Sequence, residues 1–134
     1  ELGNILWEYC GMSRNNSGLK KAKKLIKDLR AEYWENVLVG GSEQNFNQSL
    51  ERAWRVADFL EFGELMVTDA LERQESCGGH FNEKFQTGEN EALRDDKHFC
   101  HVSAWEFNGD KRKPKFHKEP LTFENVELTQ RSYK

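Results

Sequence analysis

The stretch that follows Asn47 and ends near Gln74 carries apolar side chains around nearly its whole circumference when it is drawn as a helix. A helix of about 27 residues, at ~1.5 Å per residue, would be roughly 40 Å long. A helix that is apolar on several sides is normally packed by more than one neighbour. The pattern therefore predicts a long central helix that other elements cover. Its apolar residues are Leu50, Ala53, Trp54, Val56, Ala57, Phe59, Leu60, Phe62, Leu65, Met66, Val67, Ala70 and Leu71.

Two shorter segments precede the long one, and each has a single apolar face. Apolar residues recur at i, i+3, i+4 and i+7, as in surface helices with one side on a core. In the first segment they are Leu2, Ile5, Leu6 and Tyr9. In the second they are Leu19, Ala22, Leu25, Ile26, Leu29 and Tyr33. The sequence predicts a mainly α fold, a three-helix bundle with a long central third helix.

Polar residues before the second and third segments are the expected helix caps. Asn16 or Ser17 is predicted to cap the second helix, and Asn45 or Asn47 the third, because their side-chain oxygens can accept bonds from the first helical N–H groups. Gly11 and the polar residues after it are predicted to end the first helix.

After Gln74 the sequence loses its period. Residues 75–97 are rich in Gly, Asn, Asp and Glu and are predicted to form a long irregular loop, which inside a domain is usually functional or bound to a partner. Two short strands are predicted next, at residues 98–107 and 115–123, joined by a turn at Asn108-Gly-Asp. We expect one domain over residues 1–134, with a helical bundle at 1–75, a loop at 76–97 and an extended tail at 98–134.

Composition limits the classes of function. Hydrophobic residues make up 37% of the 134 residues and charged residues 32%, so the core is lean and would gain from a covering partner. The net charge of −3 argues against a dedicated nucleic-acid binder. No apolar run approaches the ~20 residues that span a bilayer, so we expect no direct membrane insertion. Three widely spaced cysteines fit reduced thiols. The chain opens on Glu1 with helical spacing, and we expect it to be a piece of a larger protein.

Three kinds of site were weighed against ordinary structural roles. Zn²⁺ could use Cys77, His80 and Cys100, but His98, Cys100 and His101 fall on a predicted strand whose neighbouring side chains face opposite ways. Cys77 could act as a nucleophile with His80 as base, but no orienting residue can be named. For both, the ordinary roles are favoured.

A lysine-rich face on the second helix is the third candidate. It comprises Lys20, Lys21, Lys23, Lys24, Lys27 and Arg30. A solvated face is favoured. Among functional roles, docking of an acidic partner is preferred to nucleic-acid binding, because no aromatic residues are interleaved for base stacking.

Four short strings, in the same order, resemble one enzyme family. Residues 70–80, Ala-Leu-Glu-Arg-Gln-Glu-Ser-Cys-Gly-Gly-His, are similar to the Ala-x-x-Arg-x-Glu-Ser-Arg-Gly-x-His stretch in the C-terminal helical domain of succinate dehydrogenase and fumarate reductase flavoprotein subunits. Residues 10–14 (Cys-Gly-Met-Ser-Arg) resemble the family's Cys-Gly-x-x-Arg. Residues 46–50 (Phe-Asn-Gln-Ser-Leu) resemble the entry to its long helix. Residues 94–99 (Arg-Asp-Asp-Lys-His-Phe) resemble its Arg-Asp-Asp-x-x-Phe. L-aspartate oxidase, a homologous flavoenzyme, has a stretch similar to residues 70–80.

This resemblance implies a non-catalytic domain of a larger enzyme. The parent would interconvert succinate and fumarate and pass electrons through FAD to an iron–sulfur subunit and a quinone, at the cytoplasmic, inner face of the cell membrane. FAD and the catalytic residues would belong to upstream FAD-binding and capping domains, so no catalytic, cofactor or metal residue is assigned here.

Contacts with those upstream domains are assigned to the matching residues, namely Arg14, Arg73, Glu75, Ser76 and His80. A local role for each, such as a helix-end salt bridge or a loop hydrogen bond, stays open. Cys77 departs from the family, which usually has Arg there, and a thiol cannot replace the several donors of a guanidinium. Two other interpretations remain: a free-standing helical interaction module with structural zinc, and the C-terminal domain of an L-aspartate oxidase.

Overall fold

The computed structural model describes residues 1–42, 46–109, 112–130 and 132. It divides into two compact units, Glu1–Glu72 and Arg73–Lys134. The first unit holds α1 (Leu2–Tyr9), α2 (Asn16–Asn36) and α3 (Gln48–Glu72). The second holds α4 (Asp96–Phe99), β1 (His101–Glu106) and β2 (Lys115–Pro120). The predicted fold class, a mainly α chain with three helices and a short β-hairpin, is confirmed. The predicted limits at residues 75 and 97 stay predictions.

The N-cap of α2 differs from the prediction, and the N-cap of α3 agrees with it. The N-cap of α2 is Asn15, not Asn16 or Ser17, and its side-chain oxygen accepts from Gly18 N at 2.8 Å. Asn47 does cap α3, since its Oδ1 accepts from the N–H groups of residues 49 and 50, both at 3.1 Å. The alternative cap Asn45 lies outside the described residues. α3 ends at Glu72, two residues before the predicted end.

The core of the first unit lies where the three helices meet. It is formed by Ile5, Cys10, Leu19, Ala22, Ile26, Val67 and Ala70, all buried. α1 approaches α3 closely at Gly63, where an added Cβ would lie 3.1 Å from Leu2 Cδ1. Arg30 of α2 reaches α3 with ion pairs to Glu61 (2.7 Å) and Glu64 (3.3 Å). Polar contacts thus reinforce the apolar packing between α2 and α3.

The second unit opens with a segment that hydrogen bonds hold in place. Ser76 N donates to Leu93 O at 2.8 Å, and this bond joins the two ends of the segment 76–93. Cys77 and His80 exchange backbone bonds of 2.9 and 3.0 Å around a tight turn. That turn requires Gly78, whose φ is +58°.

The hairpin is shorter than predicted. β1 begins at His101, because His98 and Phe99 belong to the helical turn α4 and not to a strand. Asp95 caps that turn by accepting from His98 N at 3.3 Å. β1 and β2 pair antiparallel from His101↔Pro120 to Glu106↔Lys115. β2 ends at Pro120 and not at residue 123, and one further backbone bond follows it, from Leu121 N to Cys100 O at 3.1 Å. Of the predicted turn, Asp110 lies outside the described residues.

Candidate interdomain interface

An apolar groove of about 510 Å³ opens on the first unit. It runs between α1, α2 and α3. Among the described residues that line it, Glu1 and Tyr33 have polar side chains, and the Tyr33 hydroxyl donates to Ala53 O at 2.5 Å. The apolar lining comprises Leu2, Leu6, Leu29, Val56, Phe59, Leu60, Phe62 and Met66. A groove of this size and composition is typical of a binding surface.

α3 supplies the most exposed part of this lining. Its buried stripe faces the core, but Phe59 and Phe62 are 58% and 61% exposed, and Val56 and Met66 are also exposed. The long helix is therefore apolar on a side that no described element covers. Exposed apolar side chains that line a groove are typical of an interaction surface.

The groove does not fit FAD. The pyrophosphate of a dinucleotide needs several hydrogen-bond donors, usually backbone N–H groups of a Gly-rich turn at a helix N-terminus. The described lining is nearly all aliphatic or aromatic. The sequence carries no Gly-x-Gly-x-x-Gly turn. No step of flavin chemistry is therefore assigned to residues of this chain.

Arg73 and Glu75 form the centre of a polar network in the second unit. Arg73 Nη1 lies 2.7 Å from Glu75 Oε1, and Arg73 Nη2 donates to His101 O at 3.2 Å. Glu75 Oε2 accepts from Asp95 N at 2.8 Å. Glu75 is only 2% exposed, so both carboxylate oxygens have partners inside the unit. The network joins the residues after α3, the start of α4 and the first residue of β1.

Ser76 and His80 extend this network. Ser76 Oγ donates to Asn82 O at 3.1 Å and accepts from Asn82 N at 2.9 Å, and both residues are fully buried. His80 Nε2 lies 3.0 Å from Arg73 O. Because a carbonyl oxygen only accepts, the proton of this bond belongs to Nε2. Four of the five assigned contact residues are thus together in one unit and have internal partners.

Arg14 belongs to the first unit. Its Nε donates to Gly11 O at 3.0 Å, in the turn between α1 and α2. The same turn contains Cys10, whose thiol pKa is raised by burial, against an opposing effect of Arg14. A raised pKa keeps this thiol protonated and unreactive.

The cysteine and histidine candidates do not come together as a metal site. Among the described residues, no group of three or more Cys, His, Asp or Glu side chains is placed to hold a metal ion. His80 directs Nε2 to Arg73 O, and His98 bonds to the Asp95 carboxylate at 2.8 Å. The zinc set Cys77, His80 and Cys100 proposed from sequence is therefore not assembled.

Sequence reasoning missed three residues of the network: Asn82, Asp95 and His101. The pKa of His101 is lowered, mainly by burial and further by the positive charges of Lys118 and Arg73. Asp95 could have been found, because Asp before a short polar segment is a typical helix cap. Nothing in the local sequence marks Asn82 as fully buried, because its burial depends on how the chain turns back to Ser76.

Comparison with known proteins decides the family. The family described as fumarate reductase flavoprotein C-term matches residues 1–133. The chain belongs to this family. The resemblance to the C-terminal domain of these flavoproteins, which the sequence motifs predict, is therefore confirmed.

Two of the similar proteins belong to different enzyme types. An L-aspartate oxidase of Nicotiana tabacum is 36% identical over 85 residues, which is 63% of this chain and 13% of that protein. The fumarate reductase flavoprotein subunit of Haemophilus influenzae is 28% identical over 80 residues, 60% of this chain and 13% of that protein. The chain thus spans about one eighth of the length of these relatives.

The fold matches one part of the chains of solved fumarate reductases. An E. coli quinol fumarate reductase FrdA mutant superposes with a TM-score of 0.79 at 20% identity, over 96% of this chain and 21% of that one. In the described part of this chain, no helix is both long and apolar enough to cross a bilayer.

Proposed function

We propose that this chain is the non-catalytic C-terminal domain of a larger flavoprotein subunit of the succinate dehydrogenase and fumarate reductase type. Its role is to pack against upstream FAD-binding and capping domains of the same polypeptide. The parent interconverts succinate and fumarate. It passes electrons through FAD to an iron–sulfur subunit and a quinone at the cytoplasmic, inner face of the cell membrane.

The observation that carries this proposal is the apolar groove between the three helices. Phe59 and Phe62 stay more than half exposed in a chain that has few core residues. Completing the burial of a partly exposed Phe is worth roughly 1–2 kcal/mol. A partner surface on the groove supplies that burial, and the relatives are several times longer than this chain. The upstream domains of the same polypeptide are the partner that the family match supports.

The assigned contact residues act in two ways in this proposal. Arg14 and His80 contact the upstream domains directly. Arg73, Glu75 and Ser76 act through the network, by fixing the loop conformation that those domains meet. Cys77 is half-buried at the position where the family usually has Arg. A thiol cannot bring the donors of a guanidinium, so no interdomain hydrogen bond is proposed for Cys77.

The test is a paired substitution in the full polypeptide, Phe59→Ser with Phe62→Ser. We expect the variant to lose FAD at a lower denaturant concentration than the wild type, because the domain no longer seals the flavin domain. Phe107→Ser is the matched control, since Phe107 is also exposed but lies in the second unit. Made in the isolated chain, the paired substitution should leave thermal stability unchanged. Wild-type retention of FAD by the full-length variant would refute the proposal, as would FAD bound tightly to the isolated chain.

A second candidate is the corresponding domain of an L-aspartate oxidase. The 36% identity with the Nicotiana tabacum enzyme favours it, against 28% for the Haemophilus influenzae flavoprotein subunit. The domain's role would be the same, and the parent's substrate would differ. Anaerobic mixing of the full-length enzyme with succinate or with L-aspartate separates the two. Bleaching of the flavin absorbance by succinate supports the first candidate, and bleaching by L-aspartate alone supports the second.

A further inference from the structure

The exposed face of α2 carries a stripe of four lysines, Lys20, Lys23, Lys24 and Lys27. Their i, i+3, i+4 and i+7 spacing places them on one side of the helix, over about 10 Å of its length. Lys23 is half-buried and the other three are exposed. The apolar face of the same helix, with Leu19, Ala22 and Ile26, is buried in the core. The lysine stripe is therefore a surface feature and takes no part in that packing.

The other two basic residues of α2, Lys21 and Arg30, have internal partners. Arg30 forms ion pairs with Glu61 and Glu64 of α3. Lys21 lies over the ring of Tyr9, with Nζ 4.8 Å from the ring centroid. Among residues 1–42, 46–109, 112–130 and 132, no side chain makes an ion pair or a hydrogen bond with a lysine of the stripe.

The stripe works against the stability of its own helix. Like charges at i, i+3 and i, i+4 repel, and Lys20/Lys24 and Lys23/Lys27 are such pairs. The chain as a whole has a net charge of −3, so the cluster does not follow from a general excess of basic residues. An external partner that supplies negative charge would offset this repulsion.

The rest of the same helix indicates the kind of partner. Beyond Lys27, α2 carries the exposed acidic residues Asp28, Glu32 and Glu35. An anionic bilayer would attract the first half of the helix and repel the second. A folded protein surface can place carboxylates against the lysines and leave the acidic half in water. The change of sign along one helix therefore favours a protein over a membrane.

We propose that the lysine stripe of α2 is a docking surface for a protein partner that presents a cluster of Asp and Glu side chains. This surface is distinct from the apolar groove. It does not depend on which substrate the parent enzyme uses. The contact is of the exposed type, in which charge complementarity sets the association rate and the salt dependence.

The experiment uses poly-L-glutamate as the acidic probe and the full chain as the protein. The test variant replaces all four lysines of the stripe by Gln. The matched control makes four Lys→Gln substitutions at exposed lysines of the second unit that form no stripe, namely Lys84, Lys97, Lys113 and Lys115. Binding is measured at low and at high ionic strength. Thermal unfolding of each variant is recorded in parallel, and vesicles of phosphatidylcholine with phosphatidylserine serve as a second probe.

The proposal predicts opposite effects of the test variant on binding and on stability. Binding to poly-L-glutamate should weaken about tenfold or more, because each exposed ion pair contributes a factor of roughly 1.5 to 5. The unfolding midpoint should stay the same or rise, since repulsion within α2 is relieved. The control should bind as the wild type does, and high salt should remove the difference between them. Equal loss in the control, a lower midpoint in the test variant, or tighter binding to the vesicles than to poly-L-glutamate would each overturn the proposal.

Discussion

Replacement of Glu75 by Ala should destabilise the second unit strongly. The side chain is 3% exposed and accepts from Arg73 at 2.7 Å and from Asp95 N at 2.8 Å. Hydrogen bonds that involve a charged group contribute about 1.5–3 kcal/mol each. The side chain of Arg73 is 22% exposed, so water compensates part of its loss. We therefore expect a decrease of about 3 kcal/mol in the free energy of unfolding.

Two further variants separate charge from shape. Glu75→Gln keeps an acceptor for Asp95 N but removes the charge, and we expect about half of the effect of Ala. Glu124→Ala is the surface control, because Glu124 is exposed and should change stability by less than about 0.5 kcal/mol.

The assay is urea unfolding followed by circular dichroism, with hydrogen exchange at the amide of Asp95 as the local readout. Exchange at this amide should accelerate in both Glu75 variants. A double-mutant cycle that combines Arg73→Met with Glu75→Gln measures the coupling between the two side chains. A coupling near zero, or equal stability of Glu75→Ala and the Glu124 control, would refute the argument from burial and pairing.

Two other predictions concern single contacts. The pKa of His101 is lowered by burial, so folding favours its neutral form. The stability that neutral His101 contributes should therefore be fully present above the ordinary His pKa of about 6.5. It should fall as the pH drops below that value, because the unfolded chain takes up the proton first. His101→Gln should flatten this part of the pH profile, and an unchanged profile would contradict the prediction. Asn47→Ala removes the cap of α3 and should cost about 1 kcal/mol in thermal unfolding. Asn36→Ala is its control, because the Asn36 side chain donates to Glu32 O at the C-terminal end of α2, away from the cap of α3. Equal stability of the two variants would count against the cap.

The helices were predictable because their apolar residues repeat within a few residues. The spacing of Leu2, Ile5 and Leu6 is enough to define α1, and no distant contact is needed to recognise it. The exposed side of α3 was predicted to be covered, and in the described residues Phe59 and Phe62 are not. Periodicity identifies an apolar surface, but it does not say which chain or domain covers it.

The second unit was less predictable because its order depends on contacts between distant residues. Ser76 bonds to Leu93 and Arg73 to His101, and no local pattern encodes such pairs. α4 is only four residues long, too short for periodicity to distinguish it from a strand. The sequence motif assigned Arg73, Glu75, Ser76 and His80 to interdomain contacts, which stays a prediction. The motif did not show that these four residues form hydrogen bonds within the second unit.

The network around Arg73 also has a consequence for the order in which the chain folds during synthesis. α3 is complete at Glu72, so all three helices of the first unit can pack once that part of the chain has left the ribosome. Arg73 needs His101, which is synthesised 28 residues later. Because domains made first generally fold first, we expect the bundle to form while the second unit is still open. A chain that stopped before His101 would then keep its helices and fail to close the second unit.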